Sequence, residues 1–384
     1  MRVCVVAEYY PRRRDPVSGA WAHRQAVAAR DAGADVRVLV LERPLPSAAA
    51  VRETVRGRPG ASARELRAAW AQPRHDTIDG IAVEYVRFGS PPRERSYASW
   101  HRWAQRPLAR ALDRLHAQAP LDLVHAHYAL PAGGAALPWA RKSGLPLVVS
   151  VHGGDLLSPL LEGSEVAKVL READVVVANS RGMLDRAAGL AGSAERMRVI
   201  HPPGEPPPAD PPPKRLEPTI ATLGTVDPRK RHVDVLHALA ELPRDVRWVV
   251  IGAGPERARL ETRAAELGLT ERIEWTGALP PERAIAELAR CHVMALPSVD
   301  EAFGVAYAEA LLCRVPAIGC AGEPGPEEIA SLGPGLTLVP QRDPVALAAA
   351  ITEALDADPL PPAEHFSLAT CGRRTVEAYE AALR

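Results

Sequence analysis

Short apolar runs rich in Val, Ile and Leu alternate with stretches of helical periodicity along almost the whole chain. A run of four to eight such residues suits a strand buried on both faces. Strands that alternate with helices signal βαβ units around a parallel sheet. In the first half the pattern predicts strands at Arg2–Glu8, Val36–Leu41, Ile81–Arg87, Leu121–His125, Leu147–His152, Val175–Ala178 and Arg198–His201. It restarts with Ile220–Leu223, Arg247–Ile251, Arg272–Trp275, Val293–Leu296, Ala317–Gly319 and Leu336–Val339. Between the two series lies PPGEPPPADPPPKRLEP, Pro202–Pro218, with nine prolines in seventeen residues. So much proline cannot continue a helix or a central strand, so the segment is expected to be a linker or a stiff wrap over the surface. The fold expected is α/β, with two doubly wound Rossmann-like domains, residues 1–201 and 219–365, facing a central cleft. Residues 366–384 read as a closing amphipathic helix with Phe366, Leu368, Val376, Tyr379 and Leu383 on its apolar side.

A length of 384 residues fits two domains of ordinary size, and 47% hydrophobic with 24% charged residues excludes a disordered, collagenous or coiled-coil chain. Basic and acidic side chains balance at 47 each, which argues against a nucleic-acid partner. The zero conceals a split: residues 1–200 hold 29 basic and 20 acidic side chains, residues 201–384 hold 18 and 27. The excess lies before residue 115, and Arg93–His116 is a basic helical pattern carrying Trp100 and Trp103. It reads as a solvated helix or as a face for an anionic membrane or lipid-linked partner. Five cysteines without a C-x-x-C pair fit a reducing cytoplasm. No leader-like or membrane-spanning run stands out, so a cytoplasmic chain is expected, peripheral at most to the inner membrane face.

Four segments carry candidate chemistry. In PSVDEAFGVAYAEALLCRVPAIG, Pro297–Gly319, a strand leads into a loop with Glu301 and a helix expected from near Gly304 to about Arg314. The amides around Phe303, Gly304 and Val305 open that helix and suit an anion such as phosphate. Glu309, eight residues beyond Glu301, has acceptor oxygens for two neighbouring sugar hydroxyls, although both carboxylates also fit a solvated helix start. In LGTVDPRKRHVDVLHALA, Leu223–Ala240, Arg229, Lys230 and Arg231 precede a helix, where cations oppose its dipole and so are expected to face an anion or solvent. In LVVSVHGGDLLSP, Leu147–Pro159, His152 enters a Gly153–Gly154 turn, with Asp155 orienting the loop or touching substrate. In DLVHAHYALPAGG, His125 and His127 are expected to project to opposite faces of a strand, which disfavours a shared metal ion. Gly19 precedes a further helix whose amides could meet phosphates, with His23 in its first turn. The string Asp356-Ala357-Asp358 reads as a solvated loop.

These segments resemble the family-4 retaining glycosyltransferases of GT-B fold, with an E-x-F-G-x4-E loop and helix before a G-x-P-V-I-like strand. The Ser18-Gly19 and P-V-S-G-x-x-x-H stretch is most similar to the teichuronic-acid-type wall glycosyltransferase branch. The resemblance implies that the C-terminal helix returns to the N-terminal domain, that Glu309 holds the nucleotide ribose, and that Glu301 contacts the donor sugar. It implies that Lys230 neutralises the leaving diphosphate and that His152 lies against the donor sugar. Gly19, Arg229, Gly254, Phe303, Gly304 and Val305 would complete the donor side, and His23, His127 and Asp155 the acceptor side. VVIGAGPER, with Gly254, and WTGALPPE resemble the family's segments beside the nucleotide. The family Arg falls on Thr225, leaving Arg229 or Arg231 as second cation, and Cys313-Arg314 stands where the family has a small residue and Gly.

The function implied is transfer of a hexose-type sugar from a nucleotide-diphosphate donor, expected to be a UDP-sugar with guanosine as the other base. The acceptor would be a sugar, lipid-linked or small-molecule hydroxyl. Front-face transfer without metal or other cofactor is expected, with stabilisation of the departing diphosphate as the main catalytic effect. A GT-B nucleotide-sugar epimerase and a non-catalytic nucleotide-sugar-binding protein are the alternatives.

Overall fold

The computed structural model describes residues 1–13, 15, 17–58, 60–157, 161, 164–357, 360–361 and 363–384. Pro16 of the P-V-S-G stretch, Ser158 and Pro159 of the His152 segment, and Asp358 with Pro359 lie outside the described residues. The chain divides into two compact units, Met1–Ile200 with Cys371–Arg384, and His201–Thr370.

The first unit is built on an eight-stranded sheet. Its strands are β1 Arg2–Ala7, β2 Asp35–Glu42, β3 His75–Ile78, β4 Ile81–Arg87, β5 Leu123–His127, β6 Leu147–Val151, β7 Val175–Ala178 and β8 Met197–Val199. Their order is β3-β4-β2-β1-β5-β6-β7-β8, parallel throughout except for β3 against β4. The central strands are buried along almost their whole length, as in VCVVA of β1 and LVVSV of β6, because helices cover both faces. The closing helix, Leu368–Leu383, packs on the first helix, Ala20–Asp31. A Cβ on Gly372 would stand 2.3 Å from the Ala28 carbonyl oxygen, and Gln25 Nε2 donates to Thr375 Oγ1 at 3.2 Å. The helix thus returns to the N-terminal unit, but starts two residues later than its apolar pattern predicts. Phe366 belongs to a 3₁₀ turn, Glu364–Phe366, and packs on His201 and Phe303 of the second unit.

The second unit holds β9 Thr219–Leu223, β10 Arg247–Ile251, β11 Ile273–Gly277, β12 Val293–Ala295, β13 Ala317–Cys320 and β14 Leu336–Val339. All are parallel in the order β11-β10-β9-β12-β13-β14, the 3-2-1-4-5-6 arrangement of dinucleotide-binding sheets. Its two faces bury separate apolar clusters, one around Trp248, Leu236 and Ile351, the other around Met294, Tyr307 and Phe366. The Pro-rich segment is a wrap on this unit. His201–Glu205 is buried, Gly204 N donates to Phe366 O at 3.1 Å, and Arg215 N donates to Arg290 O at 2.9 Å.

Candidate active site

In each sheet the strand order reverses once, between β1 and β5 in the first unit and between β9 and β12 in the second. Open α/β sheets bind ligands outside the carboxyl ends of the strands at that reversal. Lys230 and Glu301 follow β9 and β12, Gly19 follows β1 and His127 ends β5, so these four fall at the two reversals.

In the second unit the loops after β9 and β12 meet. Val299 N donates to Arg229 O at 2.9 Å, and Lys230 Nζ lies 2.5 Å from Glu301 Oε2, both side chains being less than one-fifth exposed. Asp227 Oδ1 accepts from Arg229 N at 2.9 Å and from Lys230 N at 3.3 Å, which fixes the start of the lysine turn. Ser298 Oγ donates to Glu301 Oε2 at 3.0 Å, and the Tyr307 hydroxyl, 3.0 Å from Ser298 Oγ, donates to the Leu296 carbonyl. Behind the loop, Glu323 Oε2 accepts from Glu301 N at 2.8 Å, while Gln341 Nε2 donates to Glu323 Oε1 at 2.8 Å. Ser298, Tyr307, Glu323 and Gln341 escape the sequence reading because each is an ordinary residue until the fold brings it to Glu301.

The helix expected from Gly304 to about Arg314 spans Val305–Leu312. Gly304 sits at φ +83° with no side-chain cap, and a Cβ there would reach the Tyr307 ring at 2.4 Å. The bare helix start keeps its amide end polar and uncovered by a capping side chain. The helix ends two residues early because Arg314 turns to φ +56°, the left-handed conformation for which Gly is suited. Glu309, half-buried on this helix, accepts from Glu205 N at 3.2 Å, so the Pro-rich wrap passes directly over it. The Phe303 side chain is buried against His201 and Phe366, leaving its backbone for the loop.

The two candidate cations differ. Arg231 is committed to Asp234 through Nε at 2.9 Å and Nη2 at 2.6 Å, whereas the Arg229 side chain is about half exposed, with Asp227 at 3.6 Å. Gly254 packs its backbone on the loop after β9, since a Cβ would stand 2.2 Å from Val226 O. Pro255 lies ahead of the helix Arg257–Glu266. Trp275 lies in β11, 5.9 Å from the Trp248 ring and 5.5 Å from the Arg257 guanidinium.

In the first unit Glu8 and Tyr9 follow β1, Tyr128 follows β5 and His152 follows β6. Buried Glu8 accepts from the Tyr97 hydroxyl at 2.6 Å and pairs with Arg93 at 3.4 Å; burial raises its pKa against the pull of Arg93. The Arg93 guanidinium lies 3.8 Å from the Tyr97 ring centroid. Tyr128 and Trp21 wall His152 with ring centroids at 5.2 and 6.2 Å. Tyr128 sits at φ +79°, and Arg231 and Asp300, beside Lys230 and Glu301, at φ +53° and +56°. Such strain in bulky or charged residues persists where surrounding structure enforces it, characteristically at functional sites.

His152 Nε2 lies 2.9 Å from His127 Nδ1. His125, next to His127 with centroids 4.6 Å apart, bonds Tyr379 through Nδ1 and Ser150 through Nε2, both at 2.8 Å. His125 and His127 therefore share one face of β5, not opposite faces, because residues two apart on a strand point the same way. Among the described residues no group of three His, Cys, Asp or Glu is placed to hold a metal ion. Burial drives the imidazoles of His125 and His152 down to about 3 and that of His127 well below its ordinary value.

Two acceptor-side candidates are held by bonds within the first unit. Asp155 is buried and its carboxylate accepts from His152 N at 2.9 Å and Ala129 N at 3.0 Å, so it orients the loop; burial raises it to about 6. His23 is buried, with Nδ1 2.7 Å from the Tyr10 hydroxyl and Nε2 2.9 Å from Asp79, because the Ala-rich side of its helix turns it inward. Gly19 does open that helix, at φ +72°, where a Cβ would collide with the Tyr9 and Tyr10 backbone at 2.2–2.3 Å.

Two family models match the chain. The one described as Glycosyltransferase Family 4 covers residues 19–204, and Glycosyl transferases group 1 covers 209–367. The chain is 31% identical over 237 residues, 53% of its length, to the 2-deoxystreptamine glucosyltransferase of Streptomyces kanamyceticus, of which the alignment covers 60%. The chain spans about three fifths of the length of the curated relatives it matches first. It is 25% identical over 370 residues to TuaC of Bacillus subtilis, a glycosyltransferase named for teichuronic acid biosynthesis, covering 92% of this chain and 88% of that one. The crystal structure of HepE from Anabaena in complex with UDP and glucose superposes with a TM-score of 0.64 at 19% identity, over 99% of this chain and 95% of that one. With both models in tandem on two Rossmann-like units, the chain belongs to the family-4 glycosyltransferases of GT-B fold.

Proposed function

We propose that this protein is a retaining glycosyltransferase that moves a hexose-type sugar from a UDP-sugar to a hydroxyl acceptor without a resident metal. The observation that carries the reading is the Lys230–Glu301 contact of 2.5 Å, set at the strand-order reversal of the unit that the group-1 model matches. In this reading Lys230, with Arg229 as second cation and the amides of Phe303, Gly304 and Val305, stabilises the diphosphate as it leaves. Glu309, already bonded to Glu205 N, reads the ribose hydroxyls. Gly254 and Gly19 let their own loops close on Val226 and on the Tyr9 and Tyr10 backbone, which shapes the donor side.

Glu301, paired with Lys230 and bonded to Ser298, orients the donor sugar and is a poor nucleophile. That favours front-face transfer, with the leaving phosphate oxygen taking the acceptor proton. His152 and His127 serve the substrates from the first unit. The structure of HepE with UDP and glucose supports a uridine donor. The acceptor is a sugar, a lipid-linked hydroxyl or a small molecule. The similarity to TuaC, with the basic helix Trp100–Gln118 and its exposed Trp103, favours a cell-wall acceptor met at the inner membrane face.

Thermal-shift titration with UDP, GDP and ADP tests the donor site, since a ligand of the folded state raises apparent stability. UDP is expected to give the largest shift. Retention of wild-type transfer by both Lys230→Ala and Glu309→Ala would remove the assignment.

A further inference from the structure

We infer that His127 is a positioning residue that locks His152 in the tautomer carrying its proton on Nδ1, so that His152 meets its substrate as a hydrogen-bond donor and not as a base. The kinetic arm of this inference rests on the proposed function; the structural arm does not.

His127 Nδ1 and His152 Nε2 stand 2.9 Å apart with the rings within 10° of parallel, a distance that one shared proton accounts for. Both rings are neutral at physiological pH, because burial penalises their charged forms. Two arrangements remain. If His152 donated from Nε2, His127 would carry its own proton on Nε2, an atom buried without a hydrogen-bond partner among the described residues. His125 offers no relief there, since its ring nitrogens are taken up by Tyr379 and Ser150. If His127 donates from Nδ1, its Nε2 carries only a lone pair. Orphaned buried N–H groups are rarer than under-satisfied acceptors, so the second arrangement is the more stable.

The surroundings hold His152 to that role. Asp155 anchors its backbone amide, and Tyr128 and Trp21 flank its ring. With Nε2 occupied by His127, the edge of the half-buried ring left for a ligand is the one bearing Nδ1–H. A donor of that kind reads a hydroxyl or phosphate oxygen, and its ring has no free lone pair with which to take a proton from the acceptor.

The test is long-range ¹H–¹⁵N correlation spectroscopy of the full chain labelled with ¹⁵N-histidine at neutral pH, the His152 signals being identified by their loss in His152→Asn. The wild type is expected to show His152 protonated at Nδ1. The variant His127→Asn, whose amide places a donor near the lost Nδ1, keeps that pattern, and His127→Leu moves the proton toward Nε2. A wild-type spectrum with His152 protonated at Nε2 overturns the inference even if no variant folds, as does an unchanged pattern in folded His127→Leu. In sugar transfer, His127→Leu is expected to lower kcat roughly tenfold or more with little change in donor KM, and His127→Asn to restore most of it. Equal rates in all three proteins would remove the kinetic role. Absence of transfer in the wild type would refute the proposed function and leave the tautomer to the spectrum.

Discussion

Lys230 Nζ and Glu301 Oε2 stand 2.5 Å apart and tie the loop after β9 to the loop after β12. The pair means that the lysine charge is partly neutralised before any diphosphate arrives. Glu301→Gln removes the competing charge while keeping an oxygen for Ser298. It is expected to tighten UDP binding by roughly threefold to tenfold, the effect of a partly screened charge at short range. Transfer from the intact UDP-sugar should fall in the same variant, because the donor sugar loses its orienting carboxylate. Calorimetric titration beside initial rates checks both, and unchanged UDP affinity would mean that the pair does not restrain Lys230.

Glu323 acts on that pair from behind. Its carboxylate accepts the Glu301 amide and the Gln341 side chain in a buried setting, so Glu323→Ala strands two donors. The expected loss is about 1–3 kcal/mol of stability in the second unit, together with weaker donor binding. Glu323→Gln keeps an acceptor for the Glu301 amide and should recover most of both. Chemical denaturation and UDP titration of the two variants decide; equal losses in Ala and Gln would assign the effect to charge.

Acid should destabilise the first unit through its histidines. His125 and His152 sit near 3 in the folded chain and return to about 6.5 on unfolding. Between those values the unfolded state binds more protons, so stability falls as pH drops through the window, by up to about 1.4 kcal/mol per pH unit for each histidine. Asp155 works the other way. Raised to about 6, its neutral form adds stability that is fully present below the ordinary carboxylate range and lost as pH rises through 6. His127, His23 and His101 of the same unit are lowered too, while buried Glu8 is raised like Asp155, so five histidines oppose two carboxyls, and Tm is expected to fall from pH 7 to 5. His125→Asn should flatten that slope; a Tm that rises on acidification would contradict the assignment.

Arg314 pays a conformational cost at φ +56° in an exposed turn. Arg314→Gly removes the left-handed strain but adds freedom to the unfolded chain, for a net gain of roughly 0.5–1 kcal/mol. Activity should not change. A fall in Tm would mean that the arginine side chain makes a contact worth more than the strain.

Much of this protein is written in short-range pattern. Val-rich runs announced thirteen of the strands because a strand covered on both faces must be apolar throughout. β3 escaped, since HDTI is a half-exposed edge strand paired antiparallel to its hairpin neighbour and needs no apolar run. β5 begins and ends two residues later than its apolar run suggests: Asp122 is drawn off the strand to accept the Arg2 amide, and the two histidines extend it at the far end. Both ring nitrogens of His23 are taken by Tyr10 and Asp79, partners that its own motif does not name.

The sequence by itself determined two parallel α/β sheets, the loops that leave their central strands, and the residue types at those loops, because these depend on periodicity and on what an individual side chain can do. Only the tertiary structure decided which residues cooperate. Glu323 reaches Glu301 across 22 positions, Lys230 reaches it across 71, and Tyr379 reaches His125 across 254. Hydrogen bonding and desolvation act over a few ångströms, and distance along the chain does not encode which groups folding will place within that range.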